Sequence, residues 1–188
     1  YICEGLPIVA DDARADFDGD GRTDFSVFRP SEGNWYLNRS TAGFTGTNWG
    51  LSSDRLTPGD YDGDDKTDVA VFRNGFWYIL QSSNNTFKGV SFGTAGDIPV
   101  AADYNNDDRT DYATWNSNGA WIVKLSSDES VSFVQWGLPN DIPAPGDFDG
   151  DGKADQTVFR NGGWYINKST GGVTSFNFGL AGDQPVVA

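Results

Sequence analysis

The chain has 188 residues, enough for one ordinary domain with a real core, and sets 27 acidic against 13 basic side chains for a formal charge of -14. That charge argues against nucleic acid or an anionic membrane surface as partner, and no apolar run reaches the length of a membrane span. The absence of histidine removes the commonest general base and the commonest transition-metal ligand, and Cys3, standing alone, can form no internal disulfide and reads as an inert thiol near the terminus.

In chain order, residues 1–15 read as a partial strand segment, since "GLPIVADDARAD" from Gly5 is similar to "GLPNDIPAPGD" from Gly137. The acidic stretch "DFDGDGRTDFSVFR" begins at Asp16. It returns as "DYDGDDKTDVAVFR" from Asp60, "DYNNDDRTDYATWN" from Asp103 and "DFDGDGKADQTVFR" from Asp147, at steps of 43 or 44 residues. An aromatic pair keeps the same step at Trp35-Tyr36, Trp77-Tyr78 and Trp164-Tyr165, with Trp121-Ile122 in the third copy. An aromatic-glycine step follows at Trp49-Gly50, Phe92-Gly93, Trp136-Gly137 and Phe178-Gly179. The chain is therefore a repeat array of units 16–59, 60–102, 103–146 and 147–188 within a single domain, 1–188.

Each unit reads as strands. Asp68–Arg73 is rich in β-branched and aromatic residues, Asn74-Gly75 is a turn, and Phe76–Leu80 is a second apolar run. In Val69-Ala70-Val71-Phe72 both alternating faces are apolar, so both faces of the sheet are expected to be buried. Small sheets stacked face to face around an axis satisfy that requirement. The expected fold is all-β, a β-propeller of four repeats of about 43–44 residues, each a small antiparallel sheet with an acidic loop.

Numbered from its first aspartate, each loop carries carboxylates at positions 1, 3, 5 and 9, a spacing that lets a tight loop turn odd-numbered side chains inward. Such a cage of hard oxygens suits calcium. Position 7, held by Arg22, Lys66, Arg109 and Lys153, would offer its backbone carbonyl. Position 6 is Gly21 or Gly152 where a sharp turn needs positive φ, and Asp65 or Asp108 in the other two copies, a residue type that tolerates that region. An EF-hand would require glutamate at position 12 opening a helix; here Val27, Val71, Thr114 and Val158 stand there inside a predicted strand, so position 9 closes the site. The third loop, with Asn105 at position 3, is expected to bind most weakly.

The run "DFDGDGRTDFSVFRPSEGNWY" and its echoes, with "GDIPV" and "GDQPVV" after the aromatic-glycine steps, resemble FG-GAP/VCBS-type repeats of integrin-α-like β-propellers over nearly the whole chain. The resemblance implies a loop joining the first two strands of each blade and holding a structural calcium, up to four in all. By motif match that role falls on Asp16, Asp18, Asp20 and Asp24; on Asp60, Asp62, Asp64 and Asp68; on Asp103, Asn105, Asp107 and Asp111; and on Asp147, Asp149, Asp151 and Asp155. Propellers of that family usually have about seven blades, against four units here. The preferred expectation is closure at four blades, with Pro185–Ala188 supplying the first strand of blade 1; the alternatives are a homo-oligomeric ring or part of a longer propeller chain.

The function implied is an extracellular, secreted or cell-surface module that binds protein partners, as in adhesion. The alternative is a carbohydrate-binding lectin, and a third reading is a non-catalytic accessory domain of a secreted enzyme. No acid-base pair is grouped among Glu4, Glu32, Asp54 and Glu129, and no enzyme is expected. The in-step tryptophans read as packing residues. Trp115-Asn116, where other copies read Phe-Arg, is the candidate for a ligand contact. Asn38, Asn84 and Asn167 open glycosylation triplets that arise readily by chance.

Overall fold

A computed structural model describes residues 15–187. The expectations for Cys3, for Glu4 and for most of the N-terminal strand segment lie outside these residues. The chain forms four antiparallel sheets in sequence. Blade 1 holds β1 (Phe25–Arg29), β2 (Asn34–Arg39) and β3 (Gly43–Asn48). Blade 2 holds β4 (Arg55–Leu56), β5 (Val69–Arg73), β6 (Phe76–Leu80) and β7 (Phe87–Ser91). Blade 3 holds β8 (Ile98–Pro99), β9 (Tyr112–Trp115), β10 (Ala120–Lys124) and β11 (Val131–Gln135), and blade 4 holds β12 (Ile142–Pro143), β13 (Gln156–Arg160), β14 (Gly163–Asn167) and β15 (Val173–Asn177). This is a four-blade β-propeller unit, as the repeats require.

The second and third strands of each blade form a tight hairpin because the residues between them accept positive φ: Asn74-Gly75 in blade 2 and Asn161-Gly162 in blade 4 both lie in that region. The hairpin then presents one buried tryptophan per blade. Trp35, Trp77, Trp121 and Trp164 are all buried, and each indole N–H donates to the carbonyl of the aromatic-glycine step of its own blade, Trp49, Phe92, Trp136 and Phe178, at 2.8–2.9 Å. An amphipathic ring is thereby satisfied at its polar end and buried at its apolar one.

The cores lie between blades. Trp35 and Leu37 of blade 1 pack with Val69 and Val71 of blade 2; Trp77 and Ile79 pack with Tyr112 of blade 3; Trp121 and Val123 pack with Val158 of blade 4. Two of these joints are also stitched by an indole, Trp49 Nε1–H donating to the Tyr78 carbonyl at 3.0 Å and Trp136 Nε1–H to the Tyr165 carbonyl at 3.2 Å. Two carry a bidentate ion pair, Arg73 with Asp54 at 2.6 Å and Arg160 with Asp141 at 2.5 Å, in which the carboxylates are almost wholly covered. The chain itself tolerates phenylalanine at the Trp49 position, as Phe92 and Phe178. Trp49→Phe is therefore expected to cost only about 1 kcal/mol, the worth of one hydrogen bond, measured by urea denaturation.

Two expectations are corrected. Among the described residues, closure at four blades is not made. Val69 and Val71 are 6% and 1% exposed, whereas their counterparts in blade 1, Phe25 and Val27, are 81% and 61% exposed, and Phe178 of blade 4 is 73% exposed. The same strand pattern is buried only where a preceding blade covers it. Trp115 is 3% exposed and sits in the core with Val100 and Trp121, so it offers no ligand platform; Asn116 instead accepts the amides of Asn118 and Ala120 in its own turn.

Candidate metal centres

In blades 2 to 4 the acidic loop runs from the end of the short first strand to the second, and its closing aspartate pairs back across an isolated bridge, Gly59 with Asp68, Ala102 with Asp111 and Gly146 with Asp155. The position-12 residues fall inside β1, β5, β9 and β13, which confirms that no EF-hand helix follows.

The first aspartate organises each loop. In loop 1, Asp16 Oδ1 accepts the amides of Asp18, Gly19 and Asp20 at 3.2, 2.7 and 3.3 Å, and Oδ2 accepts that of Gly21 at 2.7 Å. Asp60 and Asp147 accept the corresponding four amides, and Asp103 accepts those of Asn105, Asn106 and Asp108. Wrapping four residues around one carboxylate requires left-handed backbone. Positions 4 and 6 both adopt it: Gly19 and Gly21, Gly63 and Asp65, Asn106 and Asp108, Gly150 and Gly152. Position 6 was legible in the sequence; position 4, though it reads Gly, Gly, Asn, Gly, was not singled out.

The ninth residue ties the loop to the hairpin. Asp24 accepts the amides of Phe17 at 2.8 Å and Ser40 at 2.7 Å; Asp68, Asp111 and Asp155 do the same with Tyr61 and Ser82, Tyr104 and Ser126, and Phe148 and Ser169. Those four serines recur near the repeat step and are functional positions that the sequence reading missed.

The third residue has the feature that points to a ligand. Asp18 Oδ2 accepts the amides of Thr41 and Ala42, while its Oδ1 is buried with no hydrogen-bond partner. Asp62 Oδ1, Asn105 Oδ1 and Asp149 Oδ1 are buried and unpartnered in the same way. An orphaned buried oxygen costs about 1–3 kcal/mol, more for a charged group, so four at one loop position mark sites shaped for a cation. Ligand atoms of positions 1, 3 and 9 lie within 4.8 Å of one another in three loops: Asp16, Asp18 and Asp24; Asp60, Asp62 and Asp68; Asp147, Asp149 and Asp155. In the third loop Asp103 and Asp111 flank Asn105, whose amide nitrogen donates to Asp107 at 2.9 Å and leaves the oxygen free for a ligand.

Position 5 is placed differently from the expectation. Asp20 accepts the hydroxyls of Ser40 and Thr41, Asp64 that of Ser82, and Asp151 that of Ser169. These carboxylates brace the hairpin rather than joining the three-residue groups. At position 7 the amides of Arg22, Lys66, Arg109 and Lys153 donate to the position-5 carboxylate at 3.0–3.2 Å. Two of these cationic side chains reach the preceding loop: Lys66 lies over Gly19 and the Arg109 guanidinium over Gly63. Loops are also joined through backbone, the Thr67, Thr110 and Ala154 amides donating to the Asp16, Asp60 and Asp103 carbonyls at 2.6–2.7 Å.

Electrostatics follow burial. Desolvation pushes the Asp68 and Asp111 carboxyls up to about 6 against the hydrogen bonds they accept, and raises Asp155 and Asp60 as well. Burial also opposes ionisation of Asp147, but this residue is exposed, and the amides of Gly152 and Gly150 win and lower it. The acidic residues outside the loops are scattered: Glu32 pairs with Arg29, Asp54 with Arg73, and Glu129 with Lys124 at 3.7 Å.

Residues 16–71 match the profile of the FG-GAP-like repeat family. No curated protein matches the chain. Among solved structures it is similar to BBS1N in complex with ARL6DN. For the crystal soaked with lead the identity is 14% and the TM-score 0.57, over 96% of this chain and 61% of that one. For the crystal soaked with mercury the values are 12% and 0.51, over 82% and 49%. The chain thus spans about half to three fifths of those chains, and the likeness is one of fold.

Proposed function

We propose that the chain is a calcium-stabilised, extracellular, non-catalytic β-propeller that binds protein partners. The observation that carries the metal is the buried, unpartnered third-position oxygen repeated in all four loops beside the first and ninth carboxylates. Residues at positions 1, 3 and 9 would hold the ion, with Asn105 Oδ1 supplying a neutral oxygen in the third loop. Calcium suits this set because it takes six to eight oxygens in forgiving geometry, and its role is structural: it offsets carboxylate clustering in the folded state. Isothermal titration with calcium tests the reading. Several sites are expected, one of them weaker, and Asn105→Asp is expected to tighten that weak site by about tenfold as ligand charge rises. Absence of calcium heat, or an unchanged weak site, overturns it.

Protein binding is supported by the apolar rim of the outermost strands. Phe44 on β3, Phe87 on β7, Phe133 on β11 and Val173 on β15 are 57–70% exposed. Exposed aromatic side chains on a rigid sheet are what protein interfaces use. The chain also shares its fold with BBS1N, crystallised as a complex with ARL6DN. A lectin is the second reading, favoured by a groove of about 400 Å³ between blades 3 and 4 of mixed lining, with Tyr104, Asn105, Gln156 and Asn167 beside Leu125 and Val131, as a sugar's polar and apolar faces require. A glycan array and a pull-down from secreted proteins, each run in calcium, separate the two. Retention of a protein that is lost on Phe44→Ser/Phe133→Ser supports the first; a defined sugar class on the array supports the second.

A further inference from the structure

Resting on the protein-binding reading above, we propose that the groove between blades 3 and 4 takes an extended acidic segment of a protein partner. The segment lies along the edge of β11 and sets its carboxylates against Lys153 and Lys168.

The charge of the groove is opposite to that of the chain. The sequence holds 27 acidic against 13 basic residues, yet among the described residues that line the groove the only charged ones are Lys153 and Lys168. Both are half-buried, and neither is in an ion pair with a described residue. The place of Lys153 follows from a local exchange. In the two preceding joints the position-7 cation of one loop lies over the position-4 glycine of the loop before it, Lys66 over Gly19 and Arg109 over Gly63. Loop 3 has Asn106 at position 4, whose side chain lies against Gly152, and Lys153 lines the groove instead. Ammonium groups partly withdrawn from water without a counter-charge favour an anionic ligand.

The groove is open because two side chains that fill the joint between blades 2 and 3 are exchanged. There Lys88 on β7 lies over the Tyr112 ring, its ammonium 5.8 Å from the centroid, and Tyr112 stacks on Tyr61. Ser132, which faces Val123 as Lys88 faces Ile79, stands in the place of Lys88, and Gln156, next after the closing aspartate, stands in that of Tyr112. The space left is about 400 Å³, a volume typical of ligand clefts. Gln156 Oε1 accepts the Asn167 amide at 2.8 Å, which orients both side chains and leaves Gln156 Nε2 to donate to a ligand.

The strand beside the groove favours a peptide over other anions. Among the described residues β11 is the outermost strand of blade 3 and pairs with β10 alone, and Val131 and Ser132 border the groove. Alternate backbone N–H and C=O groups of such an edge face away from the sheet, and an extended chain laid along it gains backbone hydrogen bonds that a sugar acid has no matching repeat to make. Side chains of an extended chain alternate in direction, so the fitting segment carries a carboxylate at every second residue.

The test is fluorescence anisotropy of a labelled Glu-Thr-Glu-Thr-Glu-Thr peptide with the whole chain in millimolar calcium. The peptide is expected to bind, and its glutamine counterpart to bind at least about tenfold more weakly. Lys153→Gln/Lys168→Gln is expected to weaken binding by about tenfold or more. Gln156→Tyr installs the residue of the neighbouring joint without changing the charge, and is expected to close the groove and abolish binding; urea melts check that both variants fold. No binding of the acidic peptide, equal binding of the glutamine peptide, or lysine variants that bind as the wild type does overturns the proposal. Tetragalacturonate that binds as tightly as the peptide, and loses affinity in the same variants, overturns it in favour of an acidic sugar. A protein retained through Phe44 and Phe133 while the peptide fails to bind overturns this site alone and leaves the wider protein-binding reading standing.

Discussion

Removing calcium with a chelator is expected to lower the melting temperature of the protein by about 20 °C or more. A ligand that binds the folded state alone stabilises by about 2.7 kcal/mol at a free concentration a hundred times its dissociation constant. Several loops with unpartnered third-position oxygens then contribute a total on the order of 10 kcal/mol, and a chain of this size moves by about 2–4 °C for each kcal/mol. Magnesium is expected to substitute poorly, because it demands a small octahedral shell and releases water reluctantly. The sharper form of the prediction uses Asp62→Ala. In calcium the variant loses one site and melts below the wild type. In chelator it melts close to the wild type, because the exposed hydrogen bond that Asp62 Oδ2 accepts from the Ser83 hydroxyl, worth about 1 kcal/mol, is offset by the removal of the buried, unpartnered Oδ1. Calorimetric scans in both conditions check this, and equal loss in both would mean that Asp62 is an ordinary structural residue.

Much of this architecture was legible because each repeat carries its own instructions. The loop spacing, the turn at Asn74-Gly75 and the strands Val69–Arg73 and Phe76–Leu80 are local features, and they fold as read. What could not be read depends on the relation between blades. Phe25-Ser26-Val27-Phe28 and Val69-Ala70-Val71-Phe72 have the same hydrophobic pattern, yet the first alternates exposed and half-buried while the second is buried throughout, because blade 1 covers the second and no described residue covers the first in the same way. The diversion of Asp20 depends on Ser40 and Thr41, about twenty residues away across the hairpin. Trp115 interrupts a repeat of phenylalanines and so looked like a ligand contact, but a change of side chain at a core position reports local packing. Some signals were present and unread. The Asp54–Arg73 and Asp141–Arg160 pairs have the same separation in two repeats, and the serines at 40, 82, 126 and 169 keep step with the loops they cap.

Acidification is expected to stabilise the metal-free protein and destabilise the calcium-loaded one. Asp68 and Asp111 are fully buried, and without a cation their carboxyls are pushed up to about 6 from an ordinary 3.8. A raised folded-state value means that the folded protein holds the proton more tightly than the unfolded chain. The contribution is fully present below the unfolded value and is lost as pH rises through the folded one. Between pH 7.5 and pH 5 each group then adds about 1.4 kcal/mol, roughly 3 kcal/mol for the pair. Asp54, held low despite its burial by Arg73, contributes in the opposite sense, but only below its unfolded value, outside this window. With calcium present the slope reverses, because the proton and the cation compete for the same oxygens. Urea melts at the two pH values, with EDTA and with calcium, are expected to give slopes of opposite sign. Asp68→Asn is expected to remove about half of the acid stabilisation in EDTA, since the amide cannot titrate. A metal-free protein less stable at pH 5 than at pH 7.5 would show that these buried carboxyls hold no excess of protons, and that the carboxylate clustering needs no cation to offset it.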